Sequence, residues 1–182
     1  MSVALPVVFI PATLLEATGR LLASFAAERP AEGIVYWFGL EFGLRAVVTS
    51  LVVPDADTRQ GDVVTSAAAN AEALSAVVGT PLVLLGQAHS HPRAGVRHSP
   101  VDDRETFAQF PGALSVVVPF FARKGVDLAS CGVHRHLDGR FQFIAPDRVP
   151  EHLRILPGIE DFRRAKAAVA GDTAEEPDAH AV

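Results

Sequence analysis

Pro81–Asp102 reads PLVLLGQAHSHPRAGVRHSPVD. Its first half is an apolar run of strand length that turns polar at His89-Ser90-His91. A short loop containing Gly95 follows, and then a helix start: Ser99 at the N-cap, Pro100 at the first helical position and an acid, Asp102, at the third. A strand that ends polar and loops into a helix belongs to a layered α/β domain.

The segments on either side fit that reading. Upstream, Val7–Ile10 (VVFI) is a strand, Thr13–Ala27 a helix closed by Pro30, and Glu32–Phe42 (EGIVYWFGLEF) and Leu44–Val53 two further strands. Asp55–Val64 is polar and reads as a loop; alanine-rich Ala67–Val78 reads as a helix stopped by Gly79. Downstream, Leu114–Phe121 and Cys131–Ile144 read as β, the latter turning at Asp138-Gly139. The order β-α-β-β-α-β-α-β-β predicts an α/β domain over 1–157, with a mixed sheet flanked by helices. Ile159, Phe162 and Val169 share one face of an expected closing helix over 158–170. The last stretch, 171–182 (GDTAEEPDAHAV), lacks core material and is expected to be disordered.

Composition narrows the function. The chain has 182 residues, 49% hydrophobic and 20% charged, enough apolar material for one substantial core. A formal charge of -5 with scattered arginines argues against nucleic-acid binding. No apolar stretch approaches the roughly 20 residues that span a membrane. The N-terminal sequence lacks the pattern of a signal peptide. A single cysteine, Cys131, excludes an internal disulfide and a cysteine-rich zinc site. The expected setting is cytoplasmic.

The chemistry gathers at the end of the decisive strand. Side chains at i and i+2 of a strand share a face, with Cα atoms about 6–7 Å apart, so His89 and His91 can converge on one ion. Gly95 lets the loop bring Asp102 back to them. Zinc takes imidazole nitrogen at about 2.0–2.1 Å and carboxylate oxygen at about 2.0–2.2 Å, and three protein ligands leave a fourth position for water. Helix capping and metal ligation are compatible at Asp102, because the helix dipole stabilises an anion on the first turn.

A second His-x-His, His134-Arg135-His136, has Asp147 at the same eleven-residue distance from its second histidine. There the Asp138-Gly139 hairpin sends the chain back and leaves Asp147 on the order of 10 Å too far, so that pair is read as structural. His98 is read as a solvated loop residue and Cys131 as a small core residue. A thiol protease is rejected, because His134, three residues from Cys131 on a strand, faces the other way.

His89-Ser90-His91-Pro92, six residues, Ser99, Pro100-Val101 and Asp102 resemble the metal motif of the JAMM (MPN+, JAB1/Mov34) metalloproteases, His-x-His-Pro-x6-Ser-x-x-Asp, at every fixed position. The resemblance, over about Val7 to Ile144, implies the JAB1/MPN-type mixed sheet, related to the layered architecture of cytidine deaminases. It implies one zinc ion on His89, His91 and Asp102. It also implies a glutamate general base seven residues before a glycine, which Glu32 and Gly39 provide, and Ser99 as a donor to the oxyanion. Val35 stands where the family usually has glycine; Glu28, at a helix end, and Glu41, far along the strand, are weaker candidates for the base.

The family cleaves ubiquitin or ubiquitin-like proteins from lysines, or trims such proteins at a C-terminal Gly-Gly. The implied function is thus a stand-alone prokaryotic-type isopeptidase or processing peptidase. Its implied partners are a ubiquitin-like protein and the activating and conjugating enzymes of the same pathway. The extended tail is expected to add to an edge formed by Leu44–Val53, flanked by Asp55–Val64. The alternatives are a non-catalytic scaffold of the same fold, whose members lack the histidines or the aspartate, and a zinc hydrolase of small amides. A zinc deaminase needs a Pro-Cys-x-x-Cys ligand pair, which one cysteine cannot supply.

Overall fold

A computed structural model describes residues 5–157. The elements run β1 (Val7–Pro11), α1 (Ala12–Phe25), β2 (Ile34–Phe42), β3 (Arg45–Val52), β4 (Asp57–Thr58), β5 (Val63–Val64), α2 (Ala67–Ser75), β6 (Val83–Ser90), α3 (Pro100–Glu105), β7 (Leu114–Val118), β8 (Gly132–Leu137), β9 (Arg140–Phe143) and β10 (Leu153–Leu156). Eight strands form one mixed sheet in the order β10-β1-β3-β2-β6-β7-β8-β9. The expected α/β architecture, a mixed sheet flanked by helices, is what the described chain adopts. The expected closing helix over 158–170 and the tail over 171–182 lie outside the described residues.

β2 explains why its sequence is apolar without alternation. Val35 and Trp37 face the cluster that contains Leu15 and Leu22 of α1, while Ile34, Tyr36 and Phe38 face the cluster that contains Ala73 of α2. A central strand covered on both sides must be hydrophobic at every position. Polar pins fix the helices to it. The Trp37 indole N–H donates to Thr18 Oγ1 of α1 at 3.1 Å, and the Tyr36 hydroxyl donates to Asn70 Oδ1 on α2 at 2.6 Å.

Two local expectations change, and the stretch after Ile144, assigned no element from sequence, acquires one. Asp55–Val64 is not an open loop: β4 and β5 pair as a small hairpin, and the Arg59 carbonyl accepts the Glu32 backbone N–H at 2.7 Å. Leu44–Val53 is not an edge along its length, because β1 pairs in parallel with Arg45–Val47; from Val48 onward no strand among the described residues pairs with β3 on that side. The segment after Asp147 forms a 3-10 turn and then β10, which pairs with β1. Its alternation is too short to stand out in sequence, and β1, some 140 residues away, supplies the order.

Candidate metal centre

Three elements deliver the candidate ligands. His89 sits near the end of β6 opposite Ile34 of β2 and Val117 of β7. His91 continues the ladder one step beyond the strand, its N–H donating to the Val118 carbonyl at 2.8 Å. Asp102 stands on the first turn of α3, where a capping box forms: Ser99 Oγ accepts the Asp102 N–H at 3.2 Å and Asp102 Oδ2 accepts the Ser99 N–H at 2.6 Å. The cap thus leaves the Asp102 carboxylate within reach of both histidines.

The donor atoms converge. His89 Nε2 and His91 Nε2 are 3.2 Å apart, His89 Nε2 is 3.5 Å from Asp102 Oδ1, and His91 Nε2 is 3.3 Å from Asp102 Oδ2. A tetrahedral ion with bonds of about 2.0–2.1 Å has donor–donor edges of about 3.3–3.4 Å, so these separations suit such an ion, with Asp102 presenting one oxygen to each histidine. His91 has the required tautomer: its Nδ1–H donates to the Gly95 carbonyl at 2.8 Å, which leaves Nε2 free as a donor atom. His89 is 2% exposed, and the side chains of His91 and Asp102 are 14% and 10% exposed, so the cluster opens to solvent on their side. Burial disfavours the Asp102 carboxylate, but the facing His89 and His91 side chains override it and hold its pKa far below the ordinary range.

Glu32, just before β2, lies against this cluster. It is 2% exposed, and burial pushes its pKa up to about 7, with His91 opposing the shift and Asp102 and Asp62 adding to it. Its position is set by a reciprocal bond across the strands: the Gly33 N–H donates to Ser90 Oγ and the Ser90 N–H donates to the Gly33 carbonyl, both at 3.0 Å. Glu28 and Glu41 are exposed. Ser99, half-buried, uses a lone pair for its cap, which leaves the hydroxyl proton available to donate.

The second His-x-His gathers no acid. Asp147 is exposed on the 3-10 turn, and among the described residues His89, His91 and Asp102 form the cluster able to hold a metal. Buried Arg135, between the two histidines, donates to the carbonyls of Pro6 and His152. Cys131 is buried, as expected.

His98 overturns its reading as a solvated loop residue. Its side chain is 4% exposed; Nδ1–H donates to Asp103 Oδ1 at 2.9 Å, and Nε2 accepts from the Ser115 hydroxyl at 2.9 Å. The connectivity is that of a Ser-His-Asp triad. Ser115 is fully buried in β7, however, between β6 and β8, so no substrate carbonyl can reach its oxygen. Only the adjacency of His98 to Ser99 hinted at a role; that Ser115 and His134 surround it is a product of the sheet order.

No family model matches the chain. A curated protein of Sinorhizobium fredii (strain NBRC 101917 / NGR234), "Probable metalloprotease y4jG", is 34% identical over 108 residues; the match spans 57% of this chain and 66% of that protein, just under two thirds. Among solved structures, protein DSY2949 from Desulfitobacterium hafniense aligns with TM-score 0.63 at 15% identity, over 84% of this chain and 95% of that one. A Salinibacter ruber protein aligns with TM-score 0.50 at 20% identity, over 75% and 88%. The JAB1/MPN domain protein AF2198 from Archaeoglobus fulgidus aligns with TM-score 0.45 at 14% identity, over 85% and 100%. Among the described residues no helix is long and apolar enough to cross a membrane.

Proposed function

We propose that this chain is a JAMM (MPN+)-type zinc-dependent peptidase that hydrolyses the bond after the C-terminal Gly-Gly of a ubiquitin-like modifier. The observation that carries the reading is the convergence of His89, His91 and Asp102 at ion-binding separations, with Glu32 buried against them. Two imidazoles and a carboxylate suit zinc, and an open fourth position suits catalysis rather than structure. A zinc ion held by His89, His91 and Asp102 would supply positive charge to acidify a water and polarise the scissile carbonyl.

The remaining steps belong to the chain's own side chains. Glu32 accepts a proton from the attacking water and returns it to the departing amine. Its site is dry enough to raise its proton affinity, and neighbouring His91 restrains that rise, so it is matched to both halves of the transfer. The Ser99 hydroxyl donates to the oxyanion of the tetrahedral intermediate while its lone pair keeps the cap. The modifier's tail lies along β3 beyond Val47, where no strand among the described residues pairs on that side, beside the β4–β5 hairpin.

The test is a panel of Gly-Gly-linked modifier fusions incubated with the protein, with and without chelator, alongside Glu32→Gln. Expected is cleavage by the parent that chelator abolishes, and a variant that keeps zinc but loses turnover. Zinc content with no cleavage of any fusion rejects the substrate class; cleavage that resists chelator rejects the metal mechanism.

A further inference from the structure

The loop Pro92–His98 is largely exposed, with Arg93, Ala94, Gly95 and Arg97 at the surface, yet the candidate site depends on it twice. Its Gly95 carbonyl orients His91, and its end begins the helix that carries Asp102. A loop of this kind wanders unless something seats it, and donors must be held within a fraction of an ångström to bind an ion well.

The seat is built on β7, β8 and β9. The Val96 carbonyl lies so close over Gly132 that a Cβ there would overlap it, and the Arg97 guanidinium stands 4.3 Å from the Phe143 ring centroid. His98 is driven into the sheet. Its ring stacks on His134 at 3.9 Å, its backbone N–H donates to His134 Nε2 at 3.2 Å, and its two nitrogens bind Ser115 on β7 and Asp103 on α3. The second His-x-His thus provides the floor on which the metal loop rests.

We infer that His98 is a positioning residue for the metal centre: anchored by Ser115 and His134 and bonded to Asp103, it holds loop and helix so that His91 and Asp102 keep their ion-binding separation. The inference rests on the metal-site reading given above. Groups that hydrogen-bond the ligands themselves commonly govern metal affinity by about 10–100-fold, and His98 acts one residue further out, through Asp103. Asp103 is the link to α3, next in sequence to Asp102, so a displacement of His98 reaches the ligand through a single residue.

The test uses the full chain with His98→Phe, which keeps a ring to stack on His134 but has no nitrogen, together with Asp103→Ala and Asp103→Asn. Zinc affinity is read by competition with a chromophoric chelator, and coordination geometry from the visible spectrum of the cobalt-loaded protein. Expected is an affinity weakened by about 10-fold, the low end of that range, and an altered cobalt spectrum for His98→Phe. Asp103→Ala should show a smaller change of the same kind, and Asp103→Asn, which keeps an acceptor oxygen, values near the parent. If His98→Phe fails to fold, the surface-exposed Asp103 pair decides. Affinity and spectrum within twofold of the parent for His98→Phe, or failing that for Asp103→Ala, overturn the inference. A parent that binds neither metal overturns the site reading and this inference together. Metal binding without cleavage of any fusion overturns the substrate proposal alone.

Discussion

Gly33 and Ser90 bind each other twice, N–H to hydroxyl and N–H to carbonyl, each at 3.0 Å, across the start of β2 and the end of β6. One partner adjoins Glu32 and the other lies between His89 and His91. The pair therefore sets the distance between candidate base and candidate ligands.

Removing the Ser90 hydroxyl leaves the Gly33 N–H buried without an acceptor, a loss of about 1–3 kcal/mol. Ser90→Ala is expected to lower the denaturant midpoint accordingly and to reduce turnover further than stability explains. Gly33→Ala should be worse, because its Cβ would collide with the Phe25 ring. Chemical denaturation and steady-state kinetics check both; an unchanged midpoint for Ser90→Ala would count against the bond's weight.

Glu32 makes the metal-free fold sensitive to pH. Its pKa rises on folding from 4.5 to about 7, chiefly through burial. Below 4.5 both states hold the proton and nothing is lost. As pH rises through 7 the native state must bury a charge, so stability declines across that window. Glu32→Gln removes this penalty. Its gain in melting temperature without metal should be small at pH 5 and larger at pH 8. Calorimetry showing equal gains at both values would contradict the burial argument.

Metal binding should stabilise the fold by mass action, by about 2.7 kcal/mol when free zinc is a hundredfold above its dissociation constant. Chelator is expected to lower the melting temperature of the parent. Asp102→Asn should show no such dependence, since the carboxylate that balances two imidazoles is gone. A thermal shift series with and without chelator reads the difference directly.

Cys131 should be inert while folded. Burial, with Asp127 adding to it, pushes its thiol up to about 12 from 9.0. The reactive thiolate is thereby reduced about a thousandfold at neutral pH. Alkylation by iodoacetamide at pH 8 should be slow in the native protein and fast in denaturant, which mass spectrometry can follow. Comparable rates would mean that the residue is accessible.

The α/β architecture was legible in the chain alone, because each major strand and helix carries a local signal, either a short apolar, β-branched run or a helical composition bounded by Pro or Gly. The candidate ligand set was legible there too, since His89, His91 and Asp102 lie within one strand–loop–helix unit whose spacing is local. Glu32 was readable only through its resemblance to a family pattern, as no local rule relates it to residues 57 or more positions away. Tertiary structure alone decided that β3 is covered over Arg45–Val47, that β10 closes the sheet on β1, and that His98 sits on Ser115 and His134. Those outcomes depend on strand order and on which side chains meet across the sheet. Strand pairing between distant segments is chosen by the burial of the whole core, which no single stretch of chain encodes.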